Sequence, residues 1–273
     1  MNDPFFLADD GARLRLRIRP ADAADAEPVV MLHSLFFDGS MFDDVCTRLS
    51  NDYVVYAPDH RGQGESESAG VVPSIARLAS DAIFLIENEI RKPVHLVGSS
   101  MGGYVAMQVA VRRPDLLRSS AWSCCTAHAE KQAERFAALE ADIRAQGTGQ
   151  LGDTLVRTMF GRRFIELGDE RYHYWRARFE SRGPQVADAV HEVFARASFE
   201  DELARVRSPL LLFSGDLDLA KRPADMSFIA ERVAGSRHIV IENAGHTPPV
   251  ETPDLFAQEL MRFWRNIAIT DQP

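Results

Sequence analysis

Apolar residues recur along this chain in short uninterrupted runs, and those runs set its architecture. Pro28-Val29-Val30-Met31-Leu32, residues 53–57, residues 94–97 and residues 210–213 are such runs of strand length, and residues 117–123 and 237–241, which include polar residues, also suit strands. Runs without polar alternation are buried on both faces, as in a parallel sheet covered by helices. Two earlier segments differ. Residues 5–7 and 14–18 flank the turn Asp9-Asp10-Gly11, and the second alternates Leu14, Leu16 and Ile18 with arginines. One wet face predicts an antiparallel pair at the sheet edge.

Between these runs the period becomes helical. Residues 41–49 carry it, as do residues 74–90, where Ile75, Leu78, Ala82, Leu85 and Ile86 share a face and Ser74 can cap. Tyr104, Val105, Met107, Val109 and Ala110 mark another helix. After Ser123 the alternation stops. Residues 129–144, 151–160, 170–182 and 184–197 predict four successive helices, with breaks at Gly147-Thr148-Gly149, Gly161 and Gly183-Pro184. The strand-helix order then resumes, with helices over residues 224–233 and from Thr252-Pro253, where Thr suits the cap and Pro the first turn. Residues 269–273 read as a frayed tail. Alternating strands and helices imply a parallel sheet with right-handed crossovers. Residues 1–125 and 204–273 form its core domain, and residues 126–203 a helical cap inserted between two strands.

Composition narrows the function classes. A formal charge of −9, with acidic residues interleaved among the arginines, argues against a nucleic-acid partner. No apolar run approaches the ~18 residues needed to span a bilayer, and no secretory leader is visible, so the expectation is a cytoplasmic protein without a membrane partner, monomeric or homodimeric. Cys46, Cys124 and Cys125 cannot build a disulfide framework and read as small apolar residues, Cys124 or Cys125 at a pocket wall. No His or Cys pair has metal-ligand spacing, so no metal or other cofactor is expected.

The chemistry centres on one turn. Residues 94–97 run into Gly98-Ser99-Ser100-Met101-Gly102-Gly103 and then a helix, which is the strand-turn-helix context of a Gly-x-Ser-x-Gly nucleophile elbow. A serine hydroxyl at neutral pH needs a base, and the base works best when a carboxylate fixes its tautomer. His246 follows the last strand. Asp216 and Asp218 follow the strand before it, and either carboxylate suits the role on position alone. His33 opens the loop after the third strand, where an imidazole braces backbone. His60, His95 and His238 show no complementary partner.

His33-Ser34-Leu35, Asp59-His60-Arg61-Gly62-Gln63-Gly64-Glu65-Ser66, the elbow, Gly215-Asp216-Leu217-Asp218 and Ala244-Gly245-His246 together resemble the α/β-hydrolase fold superfamily over nearly the full length. Ser34-Leu35, Asp38 and Met41-Phe42 are most similar to 3-oxoadipate enol-lactonases and related small esterases. The resemblance implies an α/β-hydrolase fold, a mostly parallel eight-stranded sheet with helices on both faces and a helical cap. It implies Ser100 as nucleophile, His246 as base and Asp218 as its acid, with the backbone amides of Leu35 and Met101 as oxyanion donors. The substrate it implies is a small-molecule ester or lactone. Phe36, Phe37, Trp122, Phe160 and Trp175 are candidate pocket residues, and Phe36-Phe37 depart from the lactonase pattern toward a more apolar acyl site. Relatives on this fold also cleave carbon–carbon bonds, perhydrolyse acids, open acyl-homoserine lactones or act as ligand receptors.

Overall fold

The structure is a computed structural model that describes residues 5–131 and 133–270. Eight strands form one sheet in the order β1-β2-β4-β3-β5-β6-β7-β8. They are β1 (Phe5–Leu7), β2 (Arg13–Arg19), β3 (Glu27–Leu32), β4 (Tyr53–Pro58), β5 (Val94–Ser99), β6 (Leu117–Ser123), β7 (Leu210–Gly215) and β8 (Arg237–Ile241). β1 pairs antiparallel with β2, and β2 antiparallel with β4; every other pairing is parallel. The alternating segment is thus part of the antiparallel edge ribbon, and the continuous apolar runs of β3, β4, β5 and β7 lie inside the sheet, whereas β8 forms the other edge and buries only Ile241 fully. Val29, Val30, Leu96, Val97, Leu211 and Leu212 are wholly or almost wholly buried, as two covered faces require.

Helices α1 (Asp43–Cys46), α2 (Ile75–Phe84), α3 (Met101–Arg112), α4 (Ala133–Gln146), α5 (Gly152–Met159), α6 (Arg162–Leu167), α7 (Glu170–Glu180), α8 (Val186–Ala195), α9 (Pro223–Ala230), α10 (Pro248–Glu251) and α11 (Pro253–Thr270) complete the fold. Ser74 caps α2 by accepting the Arg77 amide at 3.1 Å. The last six residues expected in that helix, Leu85–Ile90, widen into a π turn that ends on Arg91 at φ 58°.

Several expectations need correction. Residues 41–49 are not one helix: the Asp38 carboxylate accepts the Ser40 amide and starts a 3-10 turn, Gly39–Phe42, before α1. Among the described residues five α-helices, not four, lie between β6 and β7, followed by a 3-10 helix, Glu200–Arg205; the extra one, α6, forms in six residues directly after the Gly161 break, too few to show a period. The Thr252 hydroxyl turns back to the Pro248 carbonyl at 3.1 Å, closing the unexpected α10, while Pro253 does open α11. α11 runs through Thr270, so residues 269–270 are helical; the rest of the expected tail, 271–273, lies outside the described residues.

Candidate active site

Parallel strands deliver their following loops to one edge of the sheet, which is where open α/β sheets hold ligands. β3, β5, β7 and β8 all end there, and each contributes one part. At the end of β5 the Ser100 backbone takes φ 51°, a left-handed conformation that a non-glycine residue adopts only under constraint. Its amide is held by the Ser123 carbonyl at 2.8 Å. The turn needs its glycines: a Cβ on Gly98 would overlap the Gly102 carbonyl, and one on Gly102 would overlap the Leu32 carbonyl. The Gly102 amide donates to the His33 carbonyl at 3.1 Å, which joins the elbow to the loop after β3.

The loops after β7 and β8 close on each other. The Leu217 amide donates to the Ala244 carbonyl at 2.9 Å, and the Asp216 amide to the Ile241 carbonyl at 3.1 Å. Asp218 Oδ1 accepts the Ala220 and Lys221 amides at 2.7 and 2.9 Å, which leaves Oδ2 aimed at the His246 ring, 2.8 Å from Nδ1. His246 Nε2 lies 2.8 Å from Ser100 Oγ. With a carboxylate accepting at Nδ1, that nitrogen carries the proton, and Nε2 accepts from the serine hydroxyl. Ser100, Asp218 and His246 are 7%, 5% and 3% exposed, so water is largely kept from this chain of bonds. Asp216 points to solvent. Among the described residues, no protein acceptor takes the Leu35 or Met101 amide proton.

The loop after β3 is braced from two directions. His33 donates from Nδ1 to the Ser34 carbonyl at 2.8 Å and accepts the His60 amide at Nε2, also at 2.8 Å; the His60 ring in turn contacts the His33 carbonyl at 3.1 Å. Burial pushes both imidazoles below their ordinary pKa, so both are neutral braces. Asp38 is the second brace. It is buried, bonds Ser40, and pairs with Arg178 and Arg182 from α7 and the residues just past it. Burial pushes its carboxyl up, but Ser40, Arg182 and Arg178 overcome that and hold it far below the carboxylate range. These arginines escape sequence reading because their partner lies 140 residues or more away.

The histidines thought unpartnered are partnered. His95 sits between Ser119 Oγ and Glu27 Oε2, each at 2.7 Å, and stacks on Trp264. His238 lies 2.8 Å from Ser214 Oγ. These partners come from neighbouring strands, which only the register reveals.

Of the aromatic residues, Phe37, Phe160 and Trp175 meet in one cluster with Phe179, ring centroids 4.5 to 6.3 Å apart. Phe36 is buried at φ 69°. Trp122 is fully buried on β6, with its indole N–H on Ser120 Oγ at 2.6 Å. Cys124, at φ 51°, lies beside the site, its sulfur within 4.8 Å of ligand atoms of Asp218 and His246, a grouping of metal-ligand type. Burial raises the Cys124 thiol well above its ordinary value, and the carboxylate and imidazole already bond each other, so this donor set fits a neutral thiol beside a bonded Asp–His pair better than a metal.

A mostly parallel eight-stranded sheet, with a serine, a histidine and an aspartate in hydrogen-bond sequence at its carboxyl edge, defines the α/β-hydrolase class of fold. Residues 29–259 match the alpha/beta hydrolase family, and the chain belongs to it. It is 27% identical over 245 residues to the pimeloyl-(acyl-carrier protein) methyl ester esterase of Aeromonas hydrophila, covering 86% of this chain and 94% of that one. It is 26% identical over 233 residues to the 3-oxoadipate enol-lactonase 2 of Acinetobacter baylyi, covering 85% and 86%. The solved enol-lactonase of Burkholderia xenovorans superposes with a TM-score of 0.89 at 25% identity, over 96% of this chain and 100% of that one. No helix among the described residues is long and apolar enough to cross a membrane.

Proposed function

We propose that this protein is a serine hydrolase that cleaves a small carboxylic ester or lactone through an acyl-enzyme on Ser100. The observation that carries the reading is the continuous bond sequence from Ser100 Oγ to His246 Nε2 and from Nδ1 to Asp218, both steps 2.8 Å. The similarity to a methyl ester esterase and to enol-lactonases supports the bond type.

In this reading Ser100 Oγ attacks the substrate carbonyl carbon as its proton passes to His246 Nε2. Asp218 holds the ring and stabilises the imidazolium. The carbonyl oxygen becomes an oxyanion that accepts from the Leu35 and Met101 amides, each such donor typically worth about 3 kcal/mol. The tetrahedral species collapses as His246 protonates the leaving alkoxide. Water then attacks the acyl-enzyme with its proton going to His246, the acid departs and Ser100 regains its hydrogen. Residues 126–203 act as the cap that closes this site, with the aromatic cluster of Phe37, Phe160 and Trp175 giving its apolar underside.

The test is turnover of short p-nitrophenyl esters and a lactone panel, with fluorophosphonate labelling of Ser100. Multiple turnovers and labelling in the wild type, both lost in Ser100→Ala, are expected. Ester turnover that survives Ser100→Ala sinks the scheme, and labelling without turnover favours a ligand receptor.

A further inference from the structure

The loop that carries His246 is held by a carboxylate outside the bond sequence already described. Glu251, the last residue of α10, turns its side chain back toward the histidine. Its Oε2 accepts the Gly245 amide at 2.9 Å and the Gly161 amide at 2.7 Å. Its Oε1 accepts the Thr247 amide at 3.0 Å and faces the Thr247 hydroxyl at 3.2 Å, which also reaches the Met159 carbonyl at 2.9 Å. Gly245 and Thr247 are the two neighbours of His246 in the chain, so one group holds the Ala244–Gly245 peptide just before the histidine's own and the His246–Thr247 peptide directly after it. Gly161 belongs to the junction between α5 and α6, so the same group ties that loop to the helical segment between β6 and β7. The approach is close enough that a Cβ on Gly245 would overlap the Gly161 amide.

A carboxylate removed from water is costly unless its oxygens are satisfied. Burial pushes the Glu251 carboxyl up, and the amides of Gly245, Gly161 and Thr247 pull against it. Packing alone does not call for the charge, because a glutamine of nearly equal volume would fill the space. Accepting on both edges does call for it: an amide offers one accepting oxygen and sets N–H against N–H at the other edge.

We propose that Glu251 is a positioning residue for His246, fixing the ring between Asp218 and Ser100 and making its placement depend on the docked α5–α6 junction. The assignment rests on the hydrolase reading above. Displacement of a reacting group by ~1 Å can cost on the order of 100-fold in rate, so the effect belongs in kcat.

The experiment compares wild type, Glu251→Gln and Glu251→Asp with p-nitrophenyl butyrate, alongside fluorophosphonate labelling and circular dichroism. For folded Glu251→Gln, kcat falls at least about tenfold, KM stays within about threefold, and labelling of Ser100 slows in parallel. Glu251→Asp keeps the charge but is one methylene short of reaching both loops, and recovers part of the lost kcat. Folded variants with wild-type kcat overturn the proposal, as does a loss confined to KM. Two variants that cannot be recovered folded also overturn it, because Glu251 then serves the fold. A wild type that neither turns over nor labels removes the hydrolase reading itself, whereas an active wild type with an indifferent Glu251→Gln removes the Glu251 assignment alone.

Discussion

The Arg182 side chain donates from Nε to the Phe36 carbonyl at 2.9 Å while its Nη2 pairs with Asp38, also at 2.9 Å. Phe36 stands at φ 69°, where a bulky residue is strained, and it directly follows Leu35, whose amide is a proposed oxyanion donor. One side chain just past α7 thus holds the Phe36–Phe37 peptide, two peptides after the one that carries the Leu35 amide, and so braces the strained turn that follows the donor. Arg182→Met removes both bonds and leaves Asp38 its pairing with Arg178. Ester hydrolysis is expected to lose ten- to hundredfold in kcat, about 1.4 to 2.7 kcal/mol of barrier, with a smaller change in KM. Steady-state kinetics on the folded variant decide it; an unchanged kcat means Phe36 keeps its conformation unaided.

At Gly102 the constraint is steric. A Cβ there would overlap the Leu32 carbonyl, and β3 cannot yield because it is paired on both sides with β4 and β5. Gly102→Ala is expected to cost more than ~3 kcal/mol, beyond ordinary overpacking, and to yield little folded protein. Gly149→Ala is the control. Its nearest neighbour would be the Glu180 carbonyl at 3.8 Å, an ordinary contact. Thermal denaturation of both variants tests the contrast, and a stable Gly102→Ala protein would require a different elbow geometry.

The two neighbouring carboxylates make a matched pair. Asp218→Asn keeps the volume but offers His246 Nδ1 an amide, which permits the wrong tautomer; in a serine-protease Ser-His-Asp system the same change costs about 10⁴ in kcat, and a loss of that order is expected. Asp216→Asn changes a solvent-facing turn residue and is expected to leave kcat within about twofold. Equal effects from the two substitutions would show that the acid is not selected by its bond to His246.

These positions differ in how far the chain announces them. The parallel strands are legible because a strand buried on both faces writes itself as an apolar run, and the strand ends then point to Ser100 and His246. Asp216 and Asp218 were not separable by position, since both are turn carboxylates. What distinguishes Asp218 is a loop path that lets Ala220 and Lys221 occupy one of its oxygens. Helix α6 is shorter than two turns and carries no side-chain cap, so no period betrays it. Asp38 with Arg182, and Glu251 with Gly161, join segments 144 and 90 residues apart, and no local pattern encodes such pairs. Glu251 left one faint signal, an acidic residue five places after the loop histidine in Gly245-His246-Thr247-Pro248-Pro249-Val250-Glu251.

Stability should fall on mild acidification, and the buried histidines set the sign. Burial holds His33, His60, His95 and His238 below the ordinary imidazole value of 6.5. For His33, Asp59 and Asp38 pull upward, but burial outweighs them. In the unfolded chain these rings take up protons near pH 6.5, whereas in the folded protein they do so only at lower pH. The unfolded state therefore binds more protons just below pH 6.5, and stability rises with pH there by up to about 1.4 kcal/mol per pH unit for each such ring. Geometry adds to burial at His33: its Nε2 accepts the His60 amide, and a proton at that nitrogen would set N–H against N–H. Asp43 and Glu251, whose carboxyls burial raises, act in the opposite direction from the ordinary carboxylate range upward, so the histidine sign is read best nearest the free imidazole value of about 6.5. Glutamine at position 60 keeps a donor for the His33 carbonyl and removes one titrating ring. Urea denaturation from pH 5.5 to 7.5 should give His60→Gln a slope of stability against pH shallower than wild type by up to one proton. Superimposable slopes would mean that the ring at position 60 is not what acid attacks.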